Sequence, residues 1–149
     1  MLYYEDLEIG ATRRYGRYDV TREEVIEFAG KYDPQPFHLS DDAAAQTHFG
    51  RLSASGWHTC SMTMAMMVAD LAIEPRAMLG AIGIDELRWL HPVFPGDTLT
   101  YEMELLDKRL SKSKPGIGIL NLRMTTYNQD DRPVLSMRPI TMIRTRGDG

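Results

Sequence analysis

The polar and apolar positions divide the chain into three blocks. Residues 12–20, TRRYGRYDV, read as a first strand, and Thr21 then opens TREE, a capping box in which Thr21 caps a helix and Glu24 reaches back to its start. Val25, Phe28, Ala29 and Tyr32 follow at helical spacing. Pro34 ends this helix by Tyr32 or Asp33, because the residue before a proline is pushed out of the α region. Beyond the loop YDPQPFH, Ser40 starts a short capped helix over DDAAAQTHF, and residues 50–56 form a loop. The segment WHTCSMTMAMMVADLAI carries apolar residues on nearly every face, the pattern of a helix buried all round. The rest is strand: LGAIGIDELRWL, TLTYEMELLDKRL, IGILNLRMTTYN and VLSMRPITMIRT, separated by the turns HPVFPGD, SKSKPG and QDDRP. A buried helix followed by long antiparallel strands predicts the α+β class, an antiparallel sheet wrapped around a buried central helix. Residues 1–149 form a single domain on this reading, since no repeat or Gly, Pro or Ser-rich linker divides them.

Composition narrows the setting. The chain has 149 residues, 43% of them hydrophobic, enough for one domain with a real core. A formal net charge of −4 argues against a nucleic-acid partner, whose phosphates are met chiefly by Lys and Arg. The one cysteine, Cys60, excludes an internal disulfide and fits a reducing cytoplasm. The start MLYYEDLEIG lacks the basic and apolar runs of a signal peptide. His58, Ser61 and Asp70 interrupt the most apolar segment, so no membrane span is expected and the protein reads as cytoplasmic. His38, His48, His58 and His91 show no metal-ligand spacing, so no metal is expected. His58 and Cys60, two apart, face different sides of a helix and cannot act as a pair; Cys60 reads as a packed core thiol.

The candidate chemistry lies in YDPQPFH. Asp33 and His38 are five positions apart, and Pro34 and Pro36 stiffen the backbone between them. Such a pair is spaced to hold one water, although an Asp before Pro is also an ordinary turn residue and a lone His an ordinary hydrogen-bonded one. Gly56 stands at the start of the central helix, where a free backbone N–H and the helix dipole favour negative charge; it reads equally as a plain helix start. The ten methionines, several between Met62 and Met67, are core filler or the lining of an adaptable apolar pocket. The basic stretch KRLSKSK, with Lys112 and Lys114, is either a solvated loop or a contact for phosphates.

Taken in order, YDPQPFH, FGRLSASGWHT and DELRWLHPVFPGDTL resemble the MaoC-like acyl dehydratases, or (R)-specific enoyl-CoA hydratases, of the hotdog fold, over almost the whole chain. Their motif Asp-x-Asn-Pro-x-His is matched by Asp33, Pro36 and His38, with Gln35 in place of Asn; Ser55 stands where many members have a histidine before the glycine. The resemblance implies a hydratase or dehydratase acting on 2-enoyl or 3-hydroxyacyl thioesters, with coenzyme A as part of the substrate, acyl carrier protein as the other carrier, and no separate cofactor. It further implies catalytic roles for Asp33, His38 and Gly56, substrate contacts from Ser55, Trp57, Lys112 and Lys114, and a homodimer or an assembly of dimers with sites near the interface. Long strands with otherwise exposed edges point to the dimer independently. Two other functions fit the same fold. A thioesterase needs a nucleophile or base beside the thioester carbonyl; the resemblance places such a carboxylate in the first turns of the central helix, and GWHTCSMT has none. A non-catalytic acyl-CoA-binding protein needs neither Asp33 nor His38.

Overall fold

The computed structural model describes residues 1–147. Strand β1 (Thr12–Asp19) leads into α1 (Arg22–Tyr32), the short α2 (Asp41–Ala45) and the long α3 (Gly56–Ile73). Four strands follow: β2 (Met78–Trp89), β3 (Thr98–Leu110), β4 (Ile117–Tyr127) and β5 (Pro133–Arg144). They form one antiparallel sheet in the order β1-β3-β4-β5-β2, so β1 and β2 are its edges. The strand and turn boundaries follow the Gly, Pro and Asp signals closely. At the bulge between Tyr15 and Tyr18, Gly16 takes φ 96°, and a Cβ there would lie 2.7 Å from the Met66 sulfur. Only glycine lets β1 bend over α3 this closely.

Helix α3 sits in the curve of the sheet. Its Met62 and Met66 join Leu52, Leu99, Tyr101, Val134 and Leu135 in one core cluster. A second cluster, Leu105, Leu120, Leu122, Ile143 and Ala77, lies under the N-terminal residues Tyr3, Tyr4 and Leu7. Each large apolar side chain fully buried in these clusters stabilises the fold by roughly 1.5–3 kcal/mol. The helix is not buried all round, contrary to its apolar pattern. Trp57, Met64, Val68 and Ile73 are 56%, 46%, 56% and 63% exposed, because one sheet covers only one side of a helix. On edge strand β2, Ile82 and Ile84 are also exposed.

Two local expectations also change. Thr21 caps α1 by accepting from the Glu24 N–H at 3.3 Å, but the Glu24 carboxylate does not reach back. It accepts instead from the Tyr18 hydroxyl and, at 2.9 Å, pairs with His58 Nε2, two partners from β1 and α3 that a local cap cannot match. Helix α2 ends at Ala45, short of the predicted run. There the Thr47 hydroxyl donates to the Ala44 carbonyl at 2.8 Å and accepts from the Phe49 N–H at 3.2 Å, a side-chain turn that competes with further helix.

Near the other end of α3, buried Asp70 accepts from Arg13 Nε at 2.8 Å and from the Tyr101 hydroxyl at 2.8 Å. The Arg13 hydrogen bonds outweigh burial, and with Tyr101 they hold the Asp70 carboxyl below the usual carboxylate range. Asp70→Asn leaves Arg13 with Glu74, at 3.5 Å, as its remaining charge partner; since Arg13 is also 31% exposed, we expect a loss of about 2 kcal/mol rather than the full cost of breaking a buried pair. Urea denaturation at neutral pH measures it. Because the folded carboxyl titrates below its unfolded value of about 3.9, this contribution is complete above that pH and is lost as pH falls through the folded value. The two stability curves therefore converge in acid.

Candidate active site

The loop after α1 is held by its own backbone. Asp33 is the C-cap, with its N–H donating to the Ala29 carbonyl at 2.9 Å. Across Pro34 the Gln35 N–H returns to the Asp33 carbonyl at 2.8 Å, and Pro36–His38 forms one 3-10 turn closed by the His38 N–H on the Gln35 carbonyl at 2.9 Å. The prolines fix φ at two of these positions, so Asp33 and His38 are set before any ligand arrives.

His38 is 5% exposed, with its ring against Phe37 and Phe49. Its Nδ1 lies 2.7 Å from the Ser53 carbonyl. A carbonyl only accepts, so Nδ1 carries the proton and the lone pair of the neutral ring is on Nε2. That atom faces Asp33 Oδ2 at 3.5 Å, too far for a direct hydrogen bond. Asp33 also accepts from the Ser55 hydroxyl at 2.7 Å and from the Gln35 side-chain amide at 2.7 Å. Burial raises the Asp33 pKa, but the hydrogen bonds from Ser55 and Gln35, aided by His38, outweigh it and leave the carboxyl below its ordinary value.

Ser55 is the N-cap of α3, yet its side chain serves Asp33 rather than the helix end. Its carbonyl accepts from the His58 and Thr59 N–H groups at 2.9 and 3.1 Å, while among the described residues the Gly56 and Trp57 N–H groups have no acceptor. Two free amides at the positive end of an 18-residue helix thus lie next to Ser55, the partner of Asp33. The glycine itself has a second purpose. A Cβ on Gly56 would lie 2.5 Å from the Trp89 indole, which also meets Trp57 edge-on at 5.1 Å. Trp57 remains 56% exposed beside this end of the helix.

Asp33, His38, Ser55 and Gly56 therefore come together, and the basic loop does not join them within one chain. Ala54 N–H binds the Val93 carbonyl at 2.8 Å, which pins the site near the Thr98 end of β3. Lys112 and Lys114 lie past Leu110 at the far end of that strand, roughly 40 Å away at 3.3 Å per residue. Lys108 is a structural tie, donating to the Tyr4 and Leu7 carbonyls at 2.9 and 2.6 Å. Cys60 packs half-buried against the core, which pushes its thiol pKa up.

Sequence reasoning missed two participants. Ser53, whose carbonyl sets the His38 tautomer, carries no sequence signal. The cluster of Glu24, Tyr18 and His58, with His58 stacked on Phe28 at 4.7 Å, clamps α1 to α3 and so fixes the spacing between their caps, Asp33 and Ser55. No sequence signal pointed to the cluster, because Glu24 already fitted the capping box.

A helix cradled by an antiparallel sheet in this strand order defines a hotdog fold. A Mycobacterium tuberculosis protein described as having a double hotdog fold matches 99% of this chain and 46% of its own length, with a TM-score of 0.77 at 21% identity. Within that class, the model of the MaoC like domain matches residues 6–127, and the chain belongs to this family. The crystal structure of the MaoC-like dehydratase from Rhodospirillum rubrum has a TM-score of 0.89 and 36% identity, covering 99% of this chain and 100% of that one. The 3-hydroxybutyryl-CoA dehydratase of Methylorubrum extorquens is 32% identical over 109 residues, 72% of this chain and 66% of that enzyme. Among the described residues, no helix is long and apolar enough to cross a membrane.

Proposed function

We propose that the protein adds water to 2-enoyl thioesters of coenzyme A, and runs the reverse dehydration of 3-hydroxyacyl thioesters at the same site. The observation that carries this is the pair of acceptors, Asp33 Oδ2 and His38 Nε2, held 3.5 Å apart beside a helix N-terminus with free amides. A water against both donates one hydrogen to each and turns its oxygen lone pairs outward. Asp33, kept ionised by its donors, orients the water; His38 Nε2 takes a proton as the oxygen bonds to Cβ. The imidazolium so formed is stabilised by the Asp33 carboxylate. The pair of electrons released from the double bond moves onto the thioester oxygen, which the Gly56 N–H holds as an enolate. Protonation of Cα by the imidazolium then restores the carbonyl, so OH adds to Cβ and H to Cα with nothing left over. In oxygen-labelled water the product must gain the mass of one labelled water; product without the label refutes this route.

The working form is a homodimer. Supporting it are the unpaired edge of β2, with exposed Ile82 and Ile84, and the exposed Trp57, Met64 and Val68 on α3, apolar positions that a second copy would cover. Antiparallel pairing of β2 with its copy would extend the sheet and enclose both helices. Light scattering is expected to give twice the 17.0 kDa chain mass, and Ile84→Lys to shift it toward one chain with loss of activity. A parent mass of one chain at micromolar concentration contradicts the dimer. The dimer also gives Lys112 and Lys114 a way to act, since such pairing carries the far end of one sheet toward the site end of the other.

A further inference from the structure

Among the described residues, two side-chain hydrogen bonds join α1 and its C-cap to α3 and its N-cap: Ser55 to Asp33, inside the site, and His58 to Glu24, one turn further along α3. His58 takes no part in the hydration steps above, yet it is 2% exposed and firmly held. Its ring lies on Phe28 of α1 with the two planes 9° apart, and its Nε2 meets Glu24, which also accepts from Tyr18 of β1. Glu24 and Phe28 are four positions apart, so they share one face of α1 and hold the imidazole at two successive turns. The stack alone would let α1 slide over the flat ring. The bond to Glu24 fixes where it stops.

A carboxylate only accepts, so in the neutral ring Nε2 carries the hydrogen and the lone pair lies on Nδ1. That atom is buried and has no partner among the described residues. A buried acceptor left without a donor destabilises the fold, and a phenyl ring in the same place would not carry that cost. What a phenyl ring cannot supply is the directed bond to Glu24. The lever is long, because Asp33 lies nine residues beyond Glu24, roughly 13 Å along α1, and a tilt of about 5° about Glu24 moves the Asp33 carboxylate by about 1 Å. The Ser55 hydroxyl, at 2.7 Å from Asp33, cannot follow such a shift, since the His58 N–H ties its own turn to Ser55 by donating to the Ser55 carbonyl at 2.9 Å.

We propose that His58 is a positioning residue for the hydration: through its bond to Glu24 it sets α1 against the first turn of α3, so that Ser55 meets Asp33 and the Asp33 carboxylate is aimed relative to the Gly56 N–H. The proposal rests on the hydratase reading above and goes beyond it, placing part of the site's precision on a side chain that touches no reacting atom. Around Asp33 the groups that respond are Ser55 from α3 and Gln35 and His38 from its own loop; around His58 they are Glu24 from α1 and Tyr18 from β1.

The test is His58→Phe, which keeps the stack on Phe28, removes the unpartnered Nδ1 and lets Glu24, 43% exposed, turn to water. We expect it to unfold at no lower urea concentration than the parent, while kcat on a 2-enoyl-CoA thioester falls by about tenfold to 10² with KM near the parental value. The acid limb of the pH profile should move upward, because Asp33 loses a well-placed Ser55 donor. His58→Gln, which restores a donor to Glu24, should recover most of kcat and return the limb. Glu24→Met removes the same bond from the α1 side and should reproduce both changes. Added to Ser55→Ala, His58→Phe should move the limb no further, since its effect passes through Ser55. A carbon-13 NMR titration of the Asp33 carboxyl in parent and variants gives the same comparison free of catalysis. Parental kcat with an unmoved Asp33 titration in His58→Phe or Glu24→Met, a loss of activity that only follows a loss of stability, or limb shifts that add to that of Ser55→Ala overturns the proposal. If no thioester is hydrated but the Asp33 titration follows His58, the positioning role stands and the hydratase reading falls.

Discussion

Asp33→Asn and His38→Gln are each expected to cut hydration of a 2-enoyl-CoA thioester by about 10²–10⁴ with little change in melting temperature. Asn keeps an oxygen for the Ser55 hydroxyl and can donate to the Gln35 side chain once that amide turns over, and Gln can still donate to the Ser53 carbonyl, so the backbone bonds that hold the loop stay in place. What they lose is the charge that orients water and the lone pair that takes its proton. Because one water serves both groups, the double variant should cost far less than the product of the two single losses. Independent, multiplicative losses would mean that the two residues do not share a step. The pH dependence separates them further. The Asp33 carboxyl lies below its ordinary value, so its protonation, and the rate loss that comes with it, sets in at lower pH than for an ordinary aspartate. Ser55→Ala removes a donor to the ionised form and should move this acid limb upward. An unmoved limb would assign it to another group.

Gly56→Ala carries the second large effect. The new Cβ would fall 2.5 Å from Cε2 and Nε1 of Trp89, inside any real contact distance, and an indole has no flexible end that can yield. Overpacking of this kind costs about 1–3 kcal/mol, and a shift of the helix start that misaims the Gly56 N–H should cost about 10²–10³ in kcat. Pairing Gly56→Ala with Trp89→Leu distinguishes two reasons for the glycine. If the indole alone demands it, the double variant recovers both stability and turnover. Where the acyl oxygen must also approach the backbone, stability returns and turnover does not, and we expect this second outcome.

The parts of this site legible in the sequence were those fixed locally. Two prolines and a helix stop specify the Asp33 to His38 loop almost without help from the rest of the chain, and Thr21, Ser40 and the Pro and Gly turns mark element boundaries by short-range hydrogen bonding and φ restriction. Misreadings arose where long-range partners decide. An apolar helix covered on one side by its own sheet and, as proposed, on the other by a second copy has the same pattern as one enclosed by a single chain, so the open face of α3 was invisible. Glu24 followed the capping-box rule until Tyr18 and His58 competed for it, and neither is a neighbour in sequence that the rule considers. The contact of Trp89 with Gly56 joins residues 33 positions apart, and no spacing rule announces it.

One assay decides whether Asp33 and His38 hydrate a double bond. Purified protein is given short 2-enoyl-CoA and saturated acyl-CoA thioesters, and the conjugated absorbance and the release of free thiol are followed in the same cuvette, for the parent and for Asp33→Asn. The parent is expected to consume the enoyl absorbance without releasing thiol, and Asp33→Asn to do so at least 10²-fold more slowly. Thiol release with the double bond intact would make the protein a thioesterase. Binding of the thioesters with no consumption, or equal rates in parent and variant, would equally rule out Asp33 and His38 as a hydratase pair.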